Sequence, residues 1–177
     1  MMIALYILGG LATVFIVLML VAPKEANVER SIEAGVSQKF AFQHLRSLEK
    51  FDVWSPWGEA DPNMERGYKG TDGEVGSIAW WKGNKEVGEG EQEVKVLKEF
   101  NYIETELRFL KPFKATNKSY WKIEPKADDS GVKVTWGFHA KFAMPMNIMM
   151  MFMSMDSRIG KDFEKGLAKW KTEVEKA

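Results

Sequence analysis

The chain contains no cysteine, which removes disulfides, thiolate nucleophiles and Cys-based zinc or iron–sulfur sites at once. Histidine is nearly absent too. A two-histidine metal site would consume both His44 and His139 and would still need a carboxylate. Net charge is zero, 25 basic residues against 25 acidic ones. Nucleic-acid binders need a basic face that displaces counterions from phosphates, so this balance argues against that class. Repeats and low-complexity linkers are missing as well. At 45% hydrophobic and 28% charged residues, the 177-residue chain reads as one packed domain plus an appendage, not as a disordered segment.

Catalytic patterns are equally scarce. No serine sits in a nucleophile elbow. Gly88-x-Gly90 lacks the third glycine and the following helix of a dinucleotide site. Glu89, Glu91 and Glu93 alternate, which makes them the charged face of a strand, and no Asp-rich loop accompanies them as a cation site would require. His139 falls on the lysine-bearing face of its strand. His44 falls on an apolar helical stripe, where a lone imidazole without a carboxylate is a packed residue more often than a base. No catalytic residue, metal or cofactor is expected.

What the chain has is a long uncharged start. Residues 1–22 carry no charge, and as a helix they would extend roughly 33 Å, enough to cross a hydrocarbon core of about 30 Å. Val14–Val21 is apolar all round, unlike an amphipathic surface helix. A cleaved signal peptide is the competing reading. Against it stand the missing basic n-region, the length of the apolar run and Pro23 at the cleavage position. The expectation is a single-pass membrane anchor over residues 1–22 and a short linker at 23–26. Lys24, Arg30 and Lys39 follow the span and nothing basic precedes it, which places the domain in the cytoplasm. Gly9 and Thr13 form a small-xxx-small pair that would let two anchors pack.

The domain, 27–177, alternates strands with two helical stretches. A first strand is expected at 27–34. Ser37 then N-caps a helix with the stripe Phe40, His44, Leu48 and Phe51. Six further strands are expected at 65–70, 77–82, 87–100, 102–110, 115–124 and 132–142, separated by short turn-rich connections that make an antiparallel meander. A helix over 145–175 presents Ile148, Phe152, Met155, Ile159, Phe163, Leu167, Trp170 and Val174 on one face. The fold class is α+β, with a curved antiparallel sheet around a long C-terminal helix, preceded by one transmembrane helix.

Strand parity converts this outline into a site. Val132, Val134, Trp136, Phe138, Ala140 and Phe142 share one face; so do Asn117, Ser119, Trp121 and Ile123, and Ile103, Thr105, Leu107 and Phe109. On the strand from 87, the glutamates take one face and leave Gly88, Gly90, Gln92, Val94 and Val96 inside. Two inward glycines with a few neutral polar groups are the chemistry of a small-molecule pocket. Equally, the glycines mark a bulge or bend and the polar groups satisfy one another or a buried water. Seven methionines between Met144 and Met155 form either a lid that moulds around apolar ligands or core filler.

Several of these stretches together resemble a known family. They are Trp54-Ser55-Pro56-Trp57, Asp61-Pro62, Gly73–Ser77, Trp81–Asn84, Val87–Glu91, Phe109–Phe113 and Met155–Gly166. In this order, from about Asn27 to the C-terminus, they resemble the polyketide cyclase/dehydrase-type branch of the START-like, or SRPBCC, superfamily. The resemblance implies a helix-grip fold over a deep apolar cavity and binding of lipids, sterols, polyketides or other hydrophobic molecules; some members are enzymes.

The expected function is a membrane-anchored binding domain for a small hydrophobic ligand (lipid, isoprenoid or polyketide-like). The ligand would be admitted near Trp54, Trp57 and the Met-rich helix start with Met149 and Met153. Gln92, Thr105, Asn117 and Ser119 would orient its polar end, and Trp80, Val94, Leu107, Trp121, Trp136 and Phe138 would line its body. Two alternatives stand beside it. One is a cyclase- or hydratase-like enzyme using Gln92 or His44 in the same cavity; the other is a protein-interaction module with a closed core.

Overall fold

The computed structural model describes residues 2–151 and 154–176, with side chains from Tyr6 onward except at positions 11 and 12. The elements in order are α1 (Met2–Val21), β1 (Glu25–Ala34), α2 (Gln38–Leu45), α3 (Leu48–Trp54), α4 (Trp57–Ala60), β2 (Glu65–Lys69), β3 (Ile78–Lys82), β4 (Glu89–Lys98), β5 (Tyr102–Lys111), β6 (Ala115–Pro125), β7 (Val132–Lys141), α5 (Met146–Met150) and α6 (Met155–Val174). The seven strands form one antiparallel sheet in the order β1-β7-β6-β5-β4-β3-β2. Strands two to seven are the expected meander, and the first strand closes against the last.

Both helical expectations need correction. The helix opened by Ser37 is two helices: Ser37 accepts from the Phe40 amide, and Ser47 starts a second helix by accepting from the Lys50 amide. The hydroxyl of Ser47 also engages Asp72 on the β2–β3 loop, which turns the chain between the two. The buried face of α2 is Ala41, Phe42 and Leu45, while Phe40 is exposed; the stripe read through one continuous helix is out of phase. The C-terminal helix also begins later than expected. Ser154 accepts from the Ser157 amide and caps α6, leaving α5 as a separate turn of helix.

Helix α6 lies along β1 and β7. Arg30 on β1 donates from Nε to Glu164 at 2.6 Å and from Nη1 and Nη2 to Asp156 at 2.8 and 3.0 Å. Gly160 makes this possible: a Cβ there would stand 2.1 Å from the Arg30 guanidinium. At the centre, Trp136 of β7 stacks on Phe163 of α6, with ring centroids 3.9 Å apart and planes at 5°, and lies near-parallel to Trp121 on its other flank. Its indole N–H donates to Ser119 Oγ at 3.0 Å, and Ser119 donates onward to the Gly137 carbonyl at 3.1 Å. An indole is large enough to join sheet and helix alone, and the hydroxyl satisfies its one polar atom.

Among the described residues no helix is long and apolar enough to cross a membrane. The backbone of α1 is helical throughout Met2–Val21. Its large apolar side chains are uncovered, with Tyr6, Leu8, Leu20 and Val21 between 67% and 77% exposed. Thr13 turns its hydroxyl back to the Gly9 carbonyl at 2.9 Å.

Two outcomes test this packing. Ser119→Ala leaves the Trp136 N–H buried without a partner and should cost about 1–3 kcal/mol, read as a lower denaturant midpoint at unchanged m-value. His44 gives a pH dependence. Burial, reinforced by Lys50 and opposed by Glu173, pushes its imidazole below the ordinary 6.5. The unfolded chain therefore takes up the proton first, so the His44 contribution is whole above about pH 6.5 and is lost as pH falls below it. Melting temperatures between about pH 8 and 5, where histidine titrates, should drop less in His44→Gln than in the native chain.

Candidate functional site

Covering the inner face of a seven-stranded sheet is more than α6 does. Beyond β6 the sheet continues as β5, β4, β3 and β2, curving over α3, α4 and the start of α6. A cavity of about 230 Å³ lies under this wing. That exceeds the ~150 Å³ that holds a benzene-sized molecule and falls just short of the ~300 Å³ at which drug-sized pockets begin.

Its walls follow from the strand register. Ala79 and Trp81 of β3 stand opposite Gln92 and Gly90 of β4, and these stand opposite Leu107 and Phe109 of β5. All but Gly90 line the cavity. Trp136, Phe138 and Ser119 form the wall toward β7, and Phe51, Trp57, Ile159 and Phe163 close it from the helical side. Ala79 is the small inward residue that leaves the space. Gln92, Ser119 and Ser55 bring buried neutral polar side chains to the lining. Asp52, Arg66 and Glu86 form a charged edge, where Arg66 lies 3.6 Å from Asp52 and Tyr68 donates to the same carboxylate. That carboxylate, together with burial, pushes the Tyr68 phenol well above its ordinary value.

Of the residues expected at the site, Trp57, Trp80, Gln92, Leu107, Ser119, Trp136 and Phe138 border the cavity. The others take different places. Trp54, Val94 and Trp121 are packed solid in the core, at 1%, 0% and 1% exposure. Thr105, fully buried, stands behind Gln92 and accepts its Nε2 at 2.9 Å. Asn117 is inward but does not reach the cavity; its Oδ1 is buried without a partner among the described residues. Met149 is half exposed on α5, and Met153 lies outside the described residues. Trp80 borders the hollow, yet the register gives it the face of Glu91, and its ring lies over Gly67, where a Cβ would come within 2.7 Å. Trp81 is the tryptophan that points in. His44 does not reach the cavity, and His139, on the outer face as expected, is part-covered and bonded through Nδ1 to Asn27 at 2.6 Å.

The glycine reasoning is corrected in its cause. Gly90 and Gln92 do face inward and are buried, but the glycines make no room for a ligand. Gly90 is covered by the Trp81 ring, 2.5 Å from where its Cβ would be. Gly88 precedes β4 at φ +72° and is pressed against the Lys111 carbonyl, which a Cβ would meet at 2.4 Å; only glycine adopts that backbone against that neighbour without strain. Val96, expected inside, is outside: the register shifts between Val94 and Val96, so Leu97 packs on the core in its place. The glutamate face is as expected, with Arg108 donating to Glu91 and Glu93 at 2.7 Å each and also to Glu106.

Phe51, Trp81, Phe109, Ile159 and Phe163 complete the apolar lining. Phe109 was on the inward face already. Asp52 on α3 and Arg66 on β2 also border the cavity without having been singled out, and Met64 and Val87 lie on connections, where there is no periodicity to read.

The polar groups of the interior are mostly spent on one another. Gln92 gives its amide N–H to Thr105, and Ser119 serves Trp136 and Gly137. What Gln92 retains is Oε1, which accepts no hydrogen bond among the described residues. Among the described residues the interior therefore offers the Gln92 carbonyl and the Ser55 hydroxyl inside a largely aromatic wall, with Asp52, Arg66 and Glu86 at its edge.

No family model matches the chain, and no curated protein matches it in sequence. Solved structures match it in shape. A protein from Nitrosospira multiformis is 16% identical with a TM-score of 0.58, over 84% of this chain and 96% of its own. A protein from Chromobacterium violaceum is 10% identical with a TM-score of 0.59, over 84% and 96%. Ara h 8.0201 is 10% identical with a TM-score of 0.56, over 86% and 99%. At such identities the likeness is one of fold alone. What the chain shares with them is its fold, an antiparallel seven-stranded sheet holding a C-terminal helix in the helix-grip manner.

Proposed function

We propose that this chain is a membrane-anchored binding domain for a small, largely apolar molecule carrying a hydrogen-bond donor. The observation that carries the reading is the cavity of about 230 Å³ under the β2–β5 wing, walled by Trp57, Trp81, Phe109, Trp136, Phe138 and Phe163. Gln92 Oε1 is the acceptor such a donor would meet. A hydroxyl-bearing lipid or isoprenoid fragment fits this chemistry, and so does a small polyketide-like ring. The START-like resemblance of the sequence agrees with it.

The anchor rests on α1. Its twenty residues include no charge, and most of its described apolar side chains are exposed, Leu18 and Met19 being half-buried. Exposing that much apolar surface to water is unfavourable by roughly 25 cal/mol per Å², and lipid removes the cost. Lys24 and the basic residues after it favour the cytoplasmic side for the domain.

The test uses the full chain, extracted in mild detergent and examined by native mass spectrometry with lipid identification. A bound apolar species, displaced in competition with a fluorescent fatty alcohol, is the expected result. Ala79→Trp fills the hollow and should abolish both the bound mass and the probe signal while the far-UV spectrum stays native. A ligand-free mass throughout, or probe binding undiminished in Ala79→Trp, would refute the cavity as the site.

A further inference from the structure

The register brings one end of the sheet together with the end of α1. Glu25 of β1 pairs with Lys141 of β7; at the same end stand the β5–β6 turn between Phe109 and Ala115, the pair Glu89–Lys111, the pair Lys82–Glu89 and the start of β2 at Glu65. The chain leaves α1 here: Ala22 is buried, and the Lys24 carbonyl accepts the Phe142 amide at 2.8 Å. Helix α5 follows two turns later on the same side and lies against α1.

This end exposes several large apolar side chains. Leu110 and Phe113 on the β5–β6 turn are 47% and 65% exposed, and Met144 and Met149 around α5 are 51% and 50% exposed. From Phe142 to Met155 the sequence contains no charged residue. Lys24, Lys111, Lys114 and Lys141 surround these side chains and are exposed, in the arrangement that long lysines adopt when their stems lie on apolar material and their ammonium groups reach the headgroup layer. Glu25 and Glu89 share the end, and Lys111 holds Glu89 at 2.9 Å. The cavity edge faces the same way, since Met64, Glu86 and Val87 sit on the connections at this end.

We propose that the β5–β6 turn (Leu110, Phe113) and α5 (with Met144 and Met149) form a second membrane contact, a foot that inserts into the phospholipid bilayer beside the anchor and turns the cavity edge toward it. The assignment rests on the anchor reading above, because the position of α1 selects a bilayer over any other occupant. The foot fixes orientation: one helix alone would leave the domain free to swing, whereas two contacts hold the mouth against the source of an apolar ligand.

The chain lacks cysteine, so single replacements label uniquely. Phe113→Cys, Met149→Cys, Val17→Cys on α1 and Val75→Cys on the turn at the opposite end of the sheet are each tagged with an environment-sensitive fluorophore. The full chain is reconstituted in phosphatidylcholine–phosphatidylglycerol vesicles. Labels at 113 and 149 should lie about 5–10 Å inside the headgroup boundary and lose most of their emission to lipids brominated high on the acyl chain. The label at 17 should be quenched as well, and that at 75 should not. Emission at 113 and 149 as insensitive to brominated lipid as at 75, with 17 quenched, overturns the foot and leaves the anchor intact. Labels at 113 and 149 shielded from aqueous iodide but unreached by brominated lipid would put a second copy or another protein there, and overturn it equally. No quenching at 17 refutes the anchor and this surface together. Ligand capture is read separately by the Ala79→Trp comparison, so a dry foot on a ligand-binding domain is distinguishable from a wet cavity on a seated one.

Discussion

An α-helix with its side chains is about 10–12 Å across, whereas seven strands about 4.8 Å apart make a sheet close to 29 Å wide. One C-terminal helix cannot cover such a sheet. The chain places α6 against β1 and β7, where the Trp136–Phe163 stack and the Arg30 ion pairs hold it, and the uncovered inner face is left to the wing. Part of that face is closed by α2, α3 and their aromatic residues, with Trp54 and Phe51 packed edge-on against Trp136. The remainder stays hollow. The cavity is thus a consequence of the ratio of helix to sheet, and its position is set by the strands on which the helix is fastened.

How much of this was legible depends on how local each determinant is. The strands and their order could be read because period-two alternation and turn residues act within a few positions. Parity held along β5, β6 and β7, where the pairing runs without interruption. It failed on β4 after Val94, because a bulge is decided by the partner strand and leaves no mark on the alternation itself. The same holds for Trp80 and Trp81. Two adjacent tryptophans are equivalent in sequence, and only the pairing of Trp81 with Gly90 turns one of them inward. The split of the first helix at Ser47 had a cap residue to announce it, but the capping depends as much on Asp72, a residue 25 positions away.

Polar groups inside an apolar cavity have to be satisfied in the empty state as well as the filled one. Pairing Gln92 with Thr105 and Ser119 with Trp136 meets that condition for these side chains except at the Gln92 carbonyl. A site that hydrogen-bonds a ligand strongly discriminates against analogues lacking the group, since the protein atom is then left unpaired. With the Gln92 carbonyl and the Ser55 hydroxyl as the neutral polar groups of a largely aromatic wall, selection on polar chemistry is confined to a few points and the rest is shape.

The charge on the outside follows the same division of labour. Arg108 of β5 bridges Glu91 and Glu93 of β4 on the outer face, and the carboxylates around it outnumber it, so that face has little reason to approach an anionic surface. Lys24, Lys114 and Lys141 lie exposed at the end where α1 leaves the domain. A domain tethered by one helix meets its bilayer at a high effective concentration, and under that condition even a weak apolar contact decides which side faces the lipid. Gathering the exposed aromatic turn, the methionines and the cavity edge at one end of the sheet makes the orientation of the domain and access to its hollow one and the same constraint.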